Sequence, residues 1–401
     1  MDQAQELMGI ARELGRDRFL PRASAFDRAG EFPTANYEDL ADAGFLGLTI
    51  PKRYGGLGAD FATYAAVSAE LGSWCGATAL TFNMHTSSML WSGSLADDLP
   101  MQDAERAQHE RNRSQIYAGV IEQGHIFAQP FSEPNSAAAA GKAPFGTVAE
   151  RVDGGFLVSG RKHFASLSGH ANYYGVLCTL ATEGEANVTD TVYLAVPGDA
   201  DGFSISGEWD VLGMRATVSR NLAFDKVFVP DTAELLPFGY YYQAARDWPH
   251  MFITLCPTYM GIARAAFGFT CNYLRGEEPG GPPRGSSADS PFKQVAVAQM
   301  RIKLEQAEAL FRRAISEARY QPSQDDRLRA YATQYTVMEY ANDLAREAIR
   351  ICGGRSIFKA MRLERLYRDS RCGSLMLPWT PDICIERLGK ESLRPDRGNR
   401  P

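Results

Sequence analysis

No run of about eighteen or more apolar residues occurs in this chain, so a membrane-spanning helix is not expected. An excess of positive charge is missing too. The formal net charge is -6, and Lys and Arg are interspersed with acids, which argues against a polyanion-binding face and against nucleic acid as a partner. The first residues, with Asp2, Glu6, Arg12 and Glu13, lack the basic-then-apolar order of a secretion signal, and a cytoplasmic protein is expected. The seven cysteines include no C-x-x-C pair and are scattered from Cys75 to Cys384. Buried thiols in a reducing compartment are expected, rather than disulfides or a metal site. Internal repeats and low-complexity tracts are also lacking.

What the chain does have is bulk: 401 residues, 45% of them hydrophobic, enough for a large core and two or three domains. Residues 1–125 read as an N-terminal helical domain. Leu7, Ile10, Ala11 and Leu14 recur at helical spacing, Tyr37, Leu40, Ala41 and Phe45 repeat the pattern, and Tyr64–Trp74 and Ala77–Ser92 form a second apolar block. Within that block His85 is either a satisfied core histidine or a pocket-lining one. The glycines of Pro51–Gly58 lack the preceding strand and spacing of a dinucleotide fingerprint, so a loop between helices is expected.

In residues 126–239 the period changes. Val192–Pro197 and Asn221–Pro230 are β-rich runs bounded by Gly, Asp and Pro, indicating a middle β-domain of barrel or sandwich type. Helices return over 240–390, at Tyr259–Leu274, Phe292–Tyr320 and Arg327–Cys352. The pattern suggests a C-terminal four-helix bundle that also packs on a second copy of the chain. Gly276–Asp289 reads as a flexible loop and residues 391–401 as a frayed tail. Tyr240, Tyr241 and Tyr242 read as packing at a domain junction. The fold class is thus mainly α with a central β-domain.

The stretch Phe127–Ser166 holds the chemistry. Ser132 and Ser166 each stand near an aromatic, Phe131 or Phe164, on segments that read as neighbouring strands. Two ordinary strands would look the same. As a unit they suit a flat ring: an apolar wall with hydroxyls for hydrogen bonds to the ring edge, as an isoalloxazine needs.

The order of these blocks, together with Pro51-Lys-Arg-Tyr-Gly-Gly-Leu-Gly58, Phe131-Ser-Glu-Pro134, Gly160-Arg-Lys-His-Phe-Ala-Ser166, Leu212-Gly-Met-Arg-Ala-Thr217, Cys352-Gly-Gly354 and Leu366-Tyr-Arg-Asp-Ser-Arg371, resembles the acyl-CoA dehydrogenase superfamily across residues 5 to 390. The resemblance implies FAD, held by Gln129, Phe131, Ser132, Phe164 and Ser166 at the ring and by Gly353 and Gly354 at the adenine end. The family's Arg-x-x-Phe-Gly phosphate motif is absent, and Arg284 is the nearest replacement. A homodimer or homotetramer is implied, as is α,β-dehydrogenation of an acyl-CoA or related thioester. There hydride passes to flavin N5, and electrons pass on to an electron-transfer flavoprotein or O2.

Two departures bear on the reaction. The family's carboxylate base falls, by its two usual spacings, on Leu377 or on Met251, neither of which takes a proton. Three explanations stay open. A displaced base is one, with His250 the most natural and Asp247 and Asp382 nearby. A substrate acidic enough to need only a weak base is another. The third is an oxygenase on the same scaffold, resembling dibenzothiophene monooxygenases or enzymes that oxygenate cyclic or aromatic thioesters through a flavin–oxygen adduct. The second departure is at the thioester arm, where Asn135-Ser-Ala-Ala-Ala139 replaces the usual Gly-x-Gly-Ser-Asp. Asn135, Ala138 and His85 are the candidate substrate contacts, and the carrier, CoA or another, stays open.

Overall fold

Apolar spacing and local caps set the helices of the first block. In the computed structural model, which describes residues 3–139, 141–284 and 287–393, these are α1 (Gln3–Leu14), α2 (Leu20–Ala29), α3 (Thr34–Asp42), α4 (Phe61–Gly72), α5 (Gly76–Ser92), the single turn α6 (Ser94–Asp97) and α7 (Asp103–Gln123). Asp60 caps α4 by accepting from the Thr63 amide at 2.8 Å. The Pro51–Gly58 stretch is the expected loop, a 3-10 turn at Lys52–Tyr54 followed by bends.

The element type changes between Gln123 and Phe127. Strands β1 (Phe127–Ala128), β2 (Val148–Val152), β3 (Gly155–Ala165), β4 (Tyr173–Leu180), β5 (Thr191–Pro197), β6 (Phe203–Ser206), β7 (Arg220–Pro230) and β8 (Glu234–Leu236) form one sheet, with a short helix α8 (Ser136–Ala139) in the β1–β2 connection. The order is β6-β7-β3-β2-β4-β5-β8, with β1 parallel to β4 and off that path. β2 also runs parallel to β4, and the other neighbours are antiparallel.

Beyond β8 the chain is helical again: α9 (Tyr240–Asp247), α10 (Cys256–Arg275), α11 (Pro291–Glu317), α12 (Gln324–Cys352), α13 (Arg362–Gly373) and α14 (Pro381–Ser392). Met300, Leu304, Ala307 and Phe311 form the buried face of α11, as their spacing predicts. Helix α11 ends at Glu317, short of Tyr320, because Ala318 turns extended. A serine cap starts α12 at Gln324, with the Asp326 amide donating to Ser323 Oγ at 3.2 Å. Helix α14 takes in residues 391 and 392 of the expected tail, and residues 394–401 lie outside the described ones.

Helix α10 ties the first block to the last. A Cβ on Gly261 would collide with backbone atoms of Ala69, Gly72 and Ser73, so only glycine lets α10 cross α4 this closely. All seven cysteines are unpaired. Among the described residues, no helix is long and apolar enough to cross a membrane, and no cluster of His, Cys, Asp and Glu could hold a metal.

Candidate active site

The end of β3 breaks its own alternation. Lys162 points into the β-domain and is fully buried, so two residues later Phe164 would ordinarily share its face. An irregularity in the β3–β7 register between Lys162 and Ala165, with Phe164 at φ 52°, turns that ring outward instead, leaving it 68% exposed. Among the described residues only Trp209, edge-on at 6.2 Å, is in ring contact with it. A large aromatic held outward on a conformation costing about 1–2 kcal/mol is an apolar face prepared for something flat.

Ser132 is brought beside it. The His163 amide donates to Ser132 O at 2.8 Å, the two residues forming an antiparallel bridge, so the segments expected to be neighbours are neighbours. Glu133 locks the arrangement from beneath. Its carboxylate accepts from Lys162 Nζ at 2.7 Å, from the Gly146 and Thr147 amides at 2.6 and 3.0 Å, and from Thr147 Oγ1 at 2.7 Å. Lys162 also donates to Leu177 O at 2.8 Å. Burial would raise the carboxyl's pKa, but Lys162, Thr147 and Gly146 outweigh it and hold the group below the usual carboxylate range.

Ser166 belongs to a relay of hydroxyls. Thr217 Oγ1 donates to Met214 O at 2.8 Å, Ser219 Oγ lies 2.7 Å from Thr217 Oγ1, and Ser166 Oγ lies 2.9 Å from Ser219 Oγ. A hydroxyl has one proton. With the Thr217 proton committed to a carbonyl, Ser219 must donate to Thr217 and Ser166 to Ser219, which leaves Ser166 with lone pairs only toward any further partner.

Phe131, next to Ser132, opens onto a cavity of about 290 Å³ at the seam between the β-domain and the C-terminal helices. The β-domain side contributes Phe131, Ala138, Gly141 and Phe145; the helical side contributes Tyr241, Tyr242, Phe252, Tyr331 and Trp379. Phe252 and Trp379 are 5.4 Å apart, and Trp379 and Tyr331 4.3 Å. Phe252 follows Met251, and Trp379 stands two residues past Leu377, so the segments carrying the two family base positions do converge here. They bring aromatic rings, not acids. No carboxylate or imidazole lines the cavity among the described residues; its titratable groups are three tyrosines, each raised in pKa by burial, and Arg246, Arg327 and Arg387.

Several expected site residues are placed elsewhere. His250 is fully buried but does not line the cavity, although Pro249 and Phe252 do. Neither ring nitrogen has a partner among the described residues, and burial pushes its pKa down to about 4, which speaks for packing and against the expected base. Asp247 is bound by Arg246 at 2.8 and 2.9 Å, and Asp382 is exposed and off the cavity. His85, expected as a candidate substrate contact, does not line the cavity either. Its Nε2–H donates to Leu46 O at 2.8 Å and its Nδ1 accepts from the Phe127 amide at 3.0 Å, so it staples α5 to β1 with no nitrogen left over.

Ala138 does line the cavity; Asn135 is exposed, and its side chain accepts from the Ala137 amide at 3.1 Å. Gln129 is half-buried and Arg284 lies on an exposed turn, neither lining the cavity. Gly353 ends α12 at φ 77°, and a Cβ on it or on Gly354 would meet nothing within 4 Å. Tyr241 and Tyr242, read from sequence as packing, are cavity residues, and Phe252 and Trp379 were missed. Their place beside Met251 and Leu377 was the available signal.

Family models match the chain in three consecutive pieces: acyl-CoA dehydrogenase N-terminal domain over residues 1–94, middle domain over 128–227 and C-terminal domain over 253–375. Similar proteins include a putative acyl-CoA dehydrogenase, YdbM, of Bacillus subtilis, 27% identical and covering 98% of both chains. Another is L-evernosamine nitrososynthase of Micromonospora, 27% identical over 95% of this chain and 89% of that protein. Among solved structures, FMN-bound TdsC from Paenibacillus sp. A11-2, a dibenzothiophene monooxygenase, superposes with a TM-score of 0.81 at 23% identity, covering 97% of each chain.

Proposed function

Given that the chain belongs to the acyl-CoA dehydrogenase superfamily, we propose that it is a flavin-dependent oxidoreductase whose reaction is the oxygenation of a cyclic or aromatic small molecule. The observation that carries this reading is the cavity without a base. Removing an α-proton from an acyl thioester needs an acceptor within hydrogen-bond reach. The positions that would supply it present Met251 and Leu377, flanked by the rings of Phe252 and Trp379, and the phenols in the cavity stay protonated. Among the described residues that line the cavity, the dehydrogenation expected first finds no carboxylate or imidazole for its proton step, which favours the oxygenase alternative. The similarity to the nitrososynthase supports the same arm, while YdbM, a putative acyl-CoA dehydrogenase of equal identity, keeps dehydrogenation as the alternative.

The residues present fit a flavin. Phe164 offers an uncovered aromatic face beside Ser132, and the relay through Ser219 and Thr217 holds the Ser166 oxygen as an acceptor. When bound, the flavin supplies two-electron redox chemistry and, in its reduced form, reaction with O2. The protein's part is to hold the ring edge through Ser132 and Ser166, to cover one face with Phe164, and to keep water from the reacting atoms with the aromatic lining. The ring is common to FAD and FMN. FAD is the proposed cofactor, and Gly353 and Gly354, where a Cβ would meet nothing within 4 Å, would hold its adenine end. A homodimer or homotetramer is proposed too, since Phe292, Val295 and Ile302 leave an apolar stripe uncovered along α11.

The test is to reduce the bound flavin without oxygen and then admit ¹⁸O2 with candidate substrates. Label in the product supports the oxygenase. Bleaching of the oxidised flavin by butyryl-CoA under nitrogen, with no oxygen incorporated in the aerobic reaction, would sink it in favour of a dehydrogenase feeding an electron-transfer flavoprotein.

A further inference from the structure

The charge of the cavity is as specific as its shape. Acids outnumber bases in this chain, 48 to 42, yet every ionised side chain that reaches the cavity is an arginine. Arg246 is already neutralised by its two bonds to Asp247. Arg327 and Arg387 are not: among the described residues no carboxylate comes within 4.0 Å of either. Arg387 donates once, to Tyr331 Oη at 2.6 Å, and Arg327 makes one long contact, Nε to Pro322 O at 3.5 Å. A guanidinium carries five N–H donors, so most of their donors are uncommitted.

The two cations are aimed at one place. Arg327 and Tyr331 stand one turn apart on the same face of α12, and Arg387 reaches from α14 to the Tyr331 hydroxyl. Behind them Tyr331 packs on Trp379 and Trp379 on Phe252, an apolar floor that lowers the local dielectric and strengthens any ion pair made at its edge.

We propose that the cavity selects an anionic substrate, a planar cyclic or aromatic body that lies on the Phe252–Trp379 floor and carries a carboxylate or phosphate ester paired with Arg327 and Arg387. This rests on the cavity being the substrate site of the proposed reaction and names the class of molecule it takes. Planar forks of this kind match both oxyanions in the bidentate manner that lysine does not.

Binding is read by calorimetry on the flavin-loaded protein, with 2-naphthoate, 2-naphthyl phosphate and the neutral 2-naphthamide as probes. At least one anion is expected to bind tenfold or more tightly than the amide, a difference of about 1.4 kcal/mol. Which anion wins distinguishes an acid from a phosphate ester. The advantage should vanish in the double variant Arg327→Gln/Arg387→Gln and return in part in Arg327→Lys/Arg387→Lys, with an unchanged thermal transition showing that the fold is kept. Equal binding of all three probes, an anion advantage that survives in the double glutamine variant, or no binding of any probe overturns the assignment. Because no turnover is read, failure of the oxygenation test with the anion preference intact would remove the proposed reaction and leave the assignment standing.

Discussion

Glu133 and Lys162 meet at 2.7 Å inside the β-domain, both shielded from solvent, and through them the Ser132 segment is tied to the strand that presents Phe164. Lys162→Met strands a buried carboxylate and is expected to cost about 3–5 kcal/mol. Urea unfolding should show that loss, with weaker flavin uptake beside it. The folded Glu133 carboxyl lies below its ordinary value, so its contribution is present above the ordinary carboxylate pKa and lost as pH falls through the folded one. The variant should therefore lose less stability than wild type on acidification.

His250→Leu is expected to leave turnover well clear of the roughly 10²-fold loss that follows removal of a general base, since the ring does not reach the cavity. Stability at neutral pH should hold or rise, because two unsatisfied buried nitrogens are removed. The imidazole is pushed down from 6.5 to about 4, so wild type loses stability as pH falls through that window, and this variant should lose less of it. A turnover collapse with the fold intact would restore His250 as the base.

Thr217→Val removes the acceptor that orients the hydroxyl relay. In wild type Ser166 can only accept, which favours a ring edge bearing N–H, as flavin N5 does after reduction. Reduced flavin should bind more tightly than oxidised flavin, by about fivefold if one hydrogen bond of about 1 kcal/mol is at stake. The valine variant should narrow that ratio. A ratio unchanged between the two proteins, measured by redox titration, would retire the relay.

The paired glycines should separate cleanly. Gly353 sits at φ 77° and ψ -167°, a region essentially closed to other residues, so Gly353→Ala should destabilise by about 1–3 kcal/mol although its Cβ meets nothing. Gly354→Ala should be tolerated by the fold. If the adenine end of the cofactor packs there, this variant loses affinity for FAD and keeps it for FMN; FAD affinity unchanged from wild type would place the adenine elsewhere.

Much of this protein was legible before folding. The helix–sheet–helix order follows from a hydrophobic period of 3.6 that shifts to 2 and back, and the buried faces of α1 and α11 lie where that period put them. That the Ser132 and Phe164 segments are neighbours was legible too, because both sit in short motifs. Neither His250 nor His85 lines the cavity, because sequence supplies a side chain's chemistry but not its direction: on the 3-10 turn that carries His250 a one-residue step rotates a side chain by about 120°, and His85 sits on α5, which contributes nothing to the lining.

The cavity itself had no local signature. Its lining comes from the β-domain, α9, the Pro249–Ile253 turn, α12, Pro378 and Trp379, and α14, whose mutual placement depends on long-range packing. The chain's own letters determined that the family's two base positions are apolar and that acids exceed bases. Only the tertiary structure decided that those two positions converge beside one aromatic cavity, and that two arginines with no carboxylate beside them among the described residues face it, because which charges stay unpaired is a property of distances and not of composition.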